Sequence, residues 1–302
     1  MVSPPQSPGF SIVEQDLSLP DGRNLHFYLA LPEGRDPYAL LPVFWHHGSP
    51  NVGWPPAPML DLALAEGLIW VSYDRPGYGG STRHIGRRVI DGAGDVLAIA
   101  DHLGVDRFAV MGHSGGGPHA LAVAATAPER VVAVVVGAGV APYLSMGEQF
   151  FGGMAPWGVA SLQAAIAGLE VKEAHEVAAM QPGEPEPSAH DIGFIDADLA
   201  ALRGDWAWLK SVVGPGLEHG PGGLIDDDLA FVNEWGFDPA AITAPVLLFH
   251  GGADAMVPSV HSRWLSDRLP IVTLWEEPEA GHLSVLSHAH AALSWLGRAA
   301  RA

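Results

Sequence analysis

The sequence predicts an α/β fold in which a mostly parallel, doubly wound sheet carries a helical insertion. Three observations support this prediction. Short apolar runs alternate with Ala- and Leu-rich stretches of helical length. Several of these runs are apolar throughout, as expected of strands buried on both faces of a parallel sheet. The alternation stops after Gly139 and resumes near Thr243, which indicates an insertion between two strands of one sheet.

Seven segments are predicted to be strands because each is a short apolar run bounded by Gly, Pro or Asp. They are residues 27–31, 42–46, 68–73, 107–111, 131–136, 245–250 and 271–275. The helices predicted between them are residues 60–66, 89–103 and 259–269. Another helix is expected to begin near Pro118, since proline lacks an N–H and the first turn of a helix does not need one.

The inserted region is predicted to be a helical cap. We expect residues 1–140 and 241–302 to form the core and residues 141–240 to form the cap. Because the strands on both sides must belong to one sheet, the cap is interpreted as an insertion rather than an independent domain. It contains a Pro- and Glu-rich break and three helix-like stretches, at residues 181–187 and at residues 160–169, 172–180 and 195–213.

The composition indicates a globular protein and argues against some classes of binding partner. Apolar residues make up 48% of the 302-residue chain, which argues against disorder. The formal net charge of −19 would repel nucleic acid and anionic membrane surfaces. The chain has no cysteine, which excludes disulfides, thiolate metal sites and cysteine nucleophiles. We expect a small-molecule substrate, no metal and no cofactor, and we leave the oligomeric state open.

The sequence also predicts where the protein acts. Its start has neither the basic residues nor the apolar stretch of a signal peptide. No uncharged apolar span is long enough to cross a bilayer. The absence of cysteine fits an intracellular chain. We therefore expect a cytoplasmic protein without membrane attachment.

The most informative motif is the G-x-S-x-G pattern at residues 112–116. It follows the apolar run 108–111 and precedes a predicted helix, so its serine is expected at a sharp strand-to-helix turn. Small neighbours allow the backbone to make this turn without side-chain clashes, and the turn presents the hydroxyl in the open. Ser114 is therefore predicted to be a nucleophile.

A serine hydroxyl needs a base, usually a histidine that a carboxylate orients. Among 15 histidines the best candidate is His282, which follows the last predicted strand on a loop marked by Gly281. Open α/β sheets place their sites at this edge. His288 and His290 are interpreted as solvated residues of a C-terminal helix. His250 is interpreted as a structural hydrogen-bonding group.

Asp254 is the predicted carboxylate partner of His282. It follows the preceding strand in a glycine-rich turn, so adjacent strands would deliver the acid and the base side by side. The chain order Ser114, Asp254, His282 is one of the known orders of a catalytic triad. The rival acids, residues 226–228, lie in the predicted cap and are interpreted as a solvated or helix-capping cluster.

Acyl transfer also requires donors for the oxyanion, and rigid backbone N–H groups serve this purpose well. A loop that contains His47 and Gly48 follows another predicted strand. The predicted donors are the N–H of Ser49 in this loop and the N–H of Gly115, the residue after the nucleophile. The next residue, Pro50, has no N–H.

Together these motifs resemble those of the α/β-hydrolase family. Asp254 and His282 match the family's acid and base positions. The likeness covers residues 25–140 and 240–300, and the insertion resembles the family's variable cap. Three further segments resemble its oxyanion loop, the turn after its next strand and its nucleophile elbow, and these are residues 47–50, 74–81 and 112–116.

The resemblance implies a serine hydrolase, and a small carboxylic ester is the substrate class we expect first. His282 would deprotonate Ser114, the alkoxide would attack a carbonyl, and water would later release the acyl group. Aromatic cap residues are expected mainly to pack the cap onto the core. The cap residues predicted to line a substrate pocket are Phe150, Phe151, Trp157 and Trp235.

Other functions are left open. An aminopeptidase of the proline-iminopeptidase type, or an amidase, is the main alternative. Such a peptidase holds the substrate amine with cap carboxylates, but His113 stands where these peptidases commonly carry tryptophan. A ligand-binding protein of the same fold would not need an intact triad. Dehalogenases and epoxide hydrolases use an aspartate nucleophile, so Ser114 argues against both. The candidate amine-binding acids are Glu184, Glu186, Asp191, Asp196, Asp198 and residues 226–228.

Overall fold

A computed structural model describes residues 3–5, 7–181 and 187–301 of the chain. Eight strands form one sheet in the order β1-β2-β4-β3-β5-β6-β7-β8. The strands are β1 (Phe10–Ser18), β2 (Asn24–Pro32), β3 (Leu41–His46), β4 (Leu68–Tyr73), β5 (Phe108–His113), β6 (Val131–Gly137), β7 (Val246–Gly251) and β8 (Val272–Glu277).

The sheet is mostly parallel, as predicted. Strands β3 to β8 pair in parallel, and β2 pairs antiparallel with both β1 and β4. The sequence prediction missed β1. This strand lies at one edge of the sheet and alternates half-buried with exposed side chains. It therefore lacks the continuous apolar run by which the buried parallel strands were predicted.

Helices cover both faces of the sheet, so the prediction of a doubly wound fold is confirmed. Helices α2 (Asp91–His102), α3 (Gly116–Thr126) and α10 (Val260–Ser266) pack against one face. Helices α1 (Leu60–Ala65) and α11 (Ala289–Arg301) pack against the other. Pro118 lies in the first turn of α3, as expected. Alternate residues of each strand supply the two cores.

All the helices of the insertion lie between β6 and β7, where the sequence placed the cap. The stretch 195–213, expected as one helix, is broken at Gly204, and two shorter helices result. The predicted break falls partly on residues 182–186, which lie outside the described residues. The helices are α4 (Tyr143–Met146), α5 (Pro156–Ile166), α6 (Leu169–Ala179), α7 (Asp196–Arg203), α8 (Leu209–Leu217) and α9 (Gly222–Val232).

The carboxyl ends of the parallel strands position the predicted site residues. Ser114 directly follows β5, Asp254 follows β7, His282 follows β8 and Ser49 follows β3. Because these strands run in the same direction, their ends meet along one edge of the sheet. Within the described part of the chain, no helix is long and apolar enough to cross a membrane.

Candidate active site

Ser114 occupies a strained turn between β5 and α3. Its φ of 54° lies in the left-handed region, which non-glycine residues rarely adopt. The two outer glycines of the motif are required by close backbone contacts. A Cβ on Gly112 would lie 2.4 Å from the carbonyl oxygen of Gly116, and a Cβ on Gly116 would lie 2.0 Å from that of His46. The motif therefore forms the sharp turn that the sequence predicted.

His282 and Asp254 are directly hydrogen-bonded. The distance from His282 Nδ1 to Asp254 Oδ2 is 2.7 Å, and both side chains are buried. The other carboxylate oxygen of Asp254 accepts the N–H groups of Met256 and Val257, each at 2.9 Å. Because Nδ1 faces a carboxylate, we assign the proton to it, which leaves the Nε2 lone pair free to act as a base.

The pKa values of this pair move in opposite directions. Burial alone would raise the pKa of Asp254, but the charge of His282 and hydrogen bonds from His250 and His282 hold it below its ordinary value. Burial alone would lower the pKa of His282, but the charge and hydrogen bond of Asp254 raise it, and Asp198 adds to this effect. The carboxylate is therefore ionised and stabilises the protonated imidazole.

His250 supports Asp254 from the end of β7. Its Nε2 lies 2.7 Å from the carbonyl oxygen of Val257 and 3.3 Å from Asp254 Oδ2. Its Nδ1 lies 2.6 Å from the hydroxyl of Ser262. With acceptors facing Nε2, that nitrogen carries the proton, and the Ser262 hydroxyl donates to Nδ1. This hydrogen bonding agrees with the structural role assigned to His250 from the sequence.

His113 connects the serine turn to the loop that carries the base. Its Nε2 donates to the carbonyl oxygen of His282 at 3.1 Å, and the two rings lie 5.0 Å apart. Burial lowers the pKa of His113 to about 3, so the ring is neutral. In the sequence, His113 stands out only as a departure from peptidases, and its contact with the His282 loop was not predicted.

Ser114 and His282 line the same cavity, together with Ser49 and Gly115. Among the hydrogen bonds of the described residues, none joins the Ser114 hydroxyl to His282. Such contacts are often long without substrate and tighten only when substrate binds. The structure thus brings Ser49, Ser114, Gly115 and His282 to one cavity. The predicted acid, Asp254, is in hydrogen-bond contact with the predicted base, His282.

The two residues that are predicted to supply the oxyanion donors also lie close together. A Cβ built on Gly115 would lie 2.6 Å from the hydroxyl oxygen of Ser49. For the N–H groups of Ser49 and Gly115, no hydrogen-bond acceptor occurs among the described residues. Within the described part of the chain, both N–H groups are therefore free to bind a ligand. Arg75 supports the Ser49 loop, because its guanidinium donates to the carbonyl of His47 and to the hydroxyl of Ser49.

Asp227 corrects the prediction that residues 226–228 form a solvated or capping cluster. Its carboxylate is fully buried and lies 2.7 Å from Arg75 Nη2, 2.5 Å from Arg87 Nη2 and 2.8 Å from the Tyr78 hydroxyl. It also accepts a hydrogen bond from Ser49 Oγ. Burial would raise its pKa, but the charges of the two arginines hold it well below the ordinary value. Asp227 therefore ties α9 to the Ser49 loop.

The neighbouring aspartates are buried and paired as well. Asp226 accepts two hydrogen bonds from Arg83, at 2.8 and 2.9 Å. Asp228 lies 2.6 Å from the ammonium of Lys172, which also binds Glu176 and the Ser161 hydroxyl. A signal was present in the sequence, since apolar residues flank the three aspartates on both sides within a helix of two or more turns.

The cavity has a volume of about 570 Å³ and mostly apolar walls. Phe150 and Trp157 line it, as predicted. Phe151 and Trp235 are not among the lining residues. Phe151 packs against Phe150, and Trp235 is buried in the core, where its indole N–H donates to the carbonyl of Phe231. The pocket assignment of Phe151 and Trp235 was therefore wrong, because Trp235 is buried in the core and the half-buried Phe151 packs against the core rather than into the cavity.

The candidate amine-binding acids divide between surface, core and cavity. Asp191 and Asp196 are exposed, and Glu184 and Glu186 lie outside the described residues. Asp198 is buried against the His282 loop. Among the described residues, two carboxylates line the cavity: Asp228, which the sequence proposed, and Glu176, which it did not. No group of three metal-ligating side chains occurs within the described ranges.

Comparisons with known proteins agree with this fold. A family model for the alpha/beta hydrolase fold matches residues 42–156. The chain is 31% identical to a bifunctional esterase/perhydrolase from Acinetobacter calcoaceticus, over 72% of this chain and 75% of the relative. It is also 31% identical to a pimeloyl-[acyl-carrier protein] methyl ester esterase from Chromobacterium violaceum, over 71% and 77%. The crystal structure of an enol-lactonase from Burkholderia xenovorans superposes with a TM-score of 0.67 at 17% identity, covering 95% of this chain and all (100%) of that one.

Proposed function

Since the chain belongs to the α/β-hydrolase family, we propose that it is a serine hydrolase that cleaves small carboxylic esters through an acyl-enzyme. One observation carries the proposal. The hydrogen-bonded pair of Asp254 and His282 opens onto the cavity that the strained Ser114 also lines. Acyl transfer requires a nucleophile, a base that takes its proton and a carboxylate that orients the base.

In the acylation step, His282 Nε2 takes the hydroxyl proton of Ser114 while Oγ attacks the ester carbonyl carbon. The carbonyl double bond opens, and the negative charge moves to its oxygen. The N–H groups of Ser49 and Gly115 are the proposed donors to this oxyanion, and each donor of this kind contributes roughly 10²–10³ in rate. The charge of Asp254 stabilises the imidazolium that forms.

The acyl-enzyme then forms and breaks down by the same groups. When the tetrahedral intermediate collapses, the carbon–oxygen bond to the alcohol breaks and His282 gives its proton to the leaving oxygen. Water next takes the place of the alcohol, loses a proton to His282 and attacks the acyl carbon. Collapse of the second intermediate releases the carboxylic acid and restores the Ser114 hydroxyl.

The ester class is supported by the cavity and by the relatives. Apolar walls suit the hydrocarbon part of a small acyl or alcohol group. The two 31% identical relatives described above are both named as esterases. A small-molecule substrate and a cytoplasmic location belong to this proposal, and the net charge of −19 makes nucleic acid an unfavourable partner.

A second candidate, an aminopeptidase or amidase, is favoured by one observation at the cap side of the cavity. Glu176 and Asp228 both line the cavity and share the single ammonium of Lys172. Two carboxylates against the one ammonium that they share leave one negative charge on this group of three, which would attract a protonated substrate amine. A second cation, Lys210, also lines the cavity and reduces this attraction. The ester proposal does not require this charge.

A substrate panel separates the two candidates. We expect p-nitrophenyl esters of short acyl chains to be hydrolysed with a higher kcat/KM than aminoacyl p-nitroanilides. Ser114→Ala, assayed in parallel, controls for spontaneous hydrolysis and for contaminating enzymes. If the anilides are preferred, and if Asp228→Asn lowers kcat/KM for the anilides more than for neutral esters, the peptidase replaces the esterase as the proposed function.

A further inference from the structure

A cap residue, Asp198, holds the loop that carries His282. Its carboxylate is fully buried, and Oδ1 accepts three hydrogen bonds from this loop. The donors are the N–H of Leu283 at 2.9 Å, the N–H of Ser284 at 2.7 Å and the hydroxyl of Ser284 at 2.9 Å. Asp198 therefore binds the two residues that directly follow His282.

The other carboxylate oxygen of Asp198, Oδ2, contacts both the start of α7 and the His282 loop. Oδ2 accepts the N–H of Ile195 at 3.1 Å, which caps the start of α7. A Cβ on Gly281 would lie 2.2 Å from the same oxygen. One carboxylate thus caps α7 and packs against the glycine that precedes His282. The loop from residue 281 to residue 284 is held by a side chain 85 residues away in sequence.

We propose that Asp198 is a positioning residue for His282, acting from the cap to fix the base loop and to place a second negative charge near the imidazole. The inference rests on the proposed function, since it assumes that His282 acts as the base for Ser114. It assigns to the cap a part in catalysis beyond covering the substrate.

Four titratable groups face His282 from the elements packed around it. Asp254 binds Nδ1, His250 lies behind Asp254, His113 packs against the ring, and Asp198 adjoins the loop. His113 is neutral. The negative charges in this set are the carboxylates of Asp254 and Asp198. Burial lowers the pKa of His282, and Asp254 and, to a smaller extent, Asp198 raise it. Removing the charge of Asp198 should therefore lower this pKa.

The direction of the pH effect follows. Ser114 can be deprotonated only when His282 is neutral, so kcat/KM falls as pH decreases through the pKa of His282 in the free enzyme. A lower pKa moves this acid limb to lower pH. Asp198→Asn removes the charge but keeps an oxygen that can accept the loop N–H groups, whereas Asp198→Ala removes both.

The experiment measures kcat, KM and the pH dependence of kcat/KM for p-nitrophenyl acetate, with active sites counted by fluorophosphonate titration. Asp196→Asn is the matched control, because it removes the same charge from the same helix at a side chain that is 97% exposed. Ser284→Ala is a milder probe that leaves Asp198 in place. It removes one of the three hydrogen bonds to Asp198 Oδ1, and also the hydrogen bond from the N–H of Gly281 to the Ser284 hydroxyl.

We expect Asp198→Ala to lower kcat per active site on the order of 10²-fold, as a small displacement of a catalytic group does, with a smaller change in KM. The acid limb of Asp198→Asn should move to lower pH, and Asp196→Asn should match the wild type. If Asp198→Ala does not fold, Ser284→Ala takes its place as the test variant, and its kcat per active site should fall.

The proposal is overturned if kcat per active site and the acid limb both stay at their wild-type values, even where the melting temperature falls. It is also overturned if the limb moves to higher pH. Failure of the proposed function gives a different result. In that case wild type and Ser114→Ala hydrolyse the ester equally, and no active sites titrate in either.

Discussion

Replacement of Ser114 by Ala is expected to lower kcat for p-nitrophenyl acetate by about 10⁴-fold or more, as loss of a catalytic serine does in serine proteases. The variant loses the oxygen that forms the acyl-enzyme but keeps the N–H groups of Ser49 and Gly115. KM should change much less than kcat, because the apolar cavity walls are unaltered. Steady-state kinetics on freshly purified protein measure both.

The matched control is Ser145→Ala, which removes a hydroxyl from an exposed cap residue. It should keep the wild-type kcat. Melting temperatures of the two variants and the wild type show whether the loss arises from unfolding. Retention of a kcat near the wild-type value by folded Ser114→Ala would contradict its assignment as the nucleophile, because the acyl-enzyme route requires the oxygen that this variant lacks.

Replacement of Asp227 by Ala is expected to lower the free energy of unfolding by about 3–5 kcal/mol, the usual cost of breaking a buried ion pair on one side. The change leaves the guanidinium groups of Arg75 and Arg87 buried without their shared carboxylate. It also removes the acceptor of the Ser49 hydroxyl, so the Ser49 loop should lose order and kcat should fall. Urea denaturation followed by circular dichroism measures the stability.

Asp101→Ala provides the control for this prediction. Asp101 forms an ion pair with Arg130 at 2.7 Å, but its side chain is 70% exposed. Exposed pairs of this kind contribute about 0–1 kcal/mol. A stability loss in Asp227→Ala no larger than that in Asp101→Ala would show that the buried cluster does not hold α9 to the core.

The sequence was sufficient to predict that the residues at the strand ends lie at one edge of the sheet. Ser114, Asp254 and His282 each follow an apolar run, and parallel strands bring such ends to one edge whatever the rest of the chain does. The main sheet was predicted for the same reason. Strand β1 was missed because its side chains are only half-buried, so the apolar signal is weak.

The contacts between cap and core could not be predicted. Asp198 looks like an ordinary helix aspartate. The apolar residues that flank Asp227 indicate burial, but the partners of the two carboxylates lie 85 and 152 residues away in sequence. Only the packing of the cap decides which groups these carboxylates contact. The same packing removed Trp235 from the pocket, because an aromatic side chain fits equally well into a core or a cavity wall.

The most direct test of the account is the site of covalent labelling by a fluorophosphonate. The reagent phosphonylates a serine that a neighbouring base has activated, and fluoride leaves. We predict one adduct per chain, located by peptide mass spectrometry to Ser114 and lost in His282→Ala at the same pH. Absence of labelling would support a ligand-binding protein of this fold. An adduct on another residue, or equal labelling of the His282 variant, would contradict the proposed mechanism.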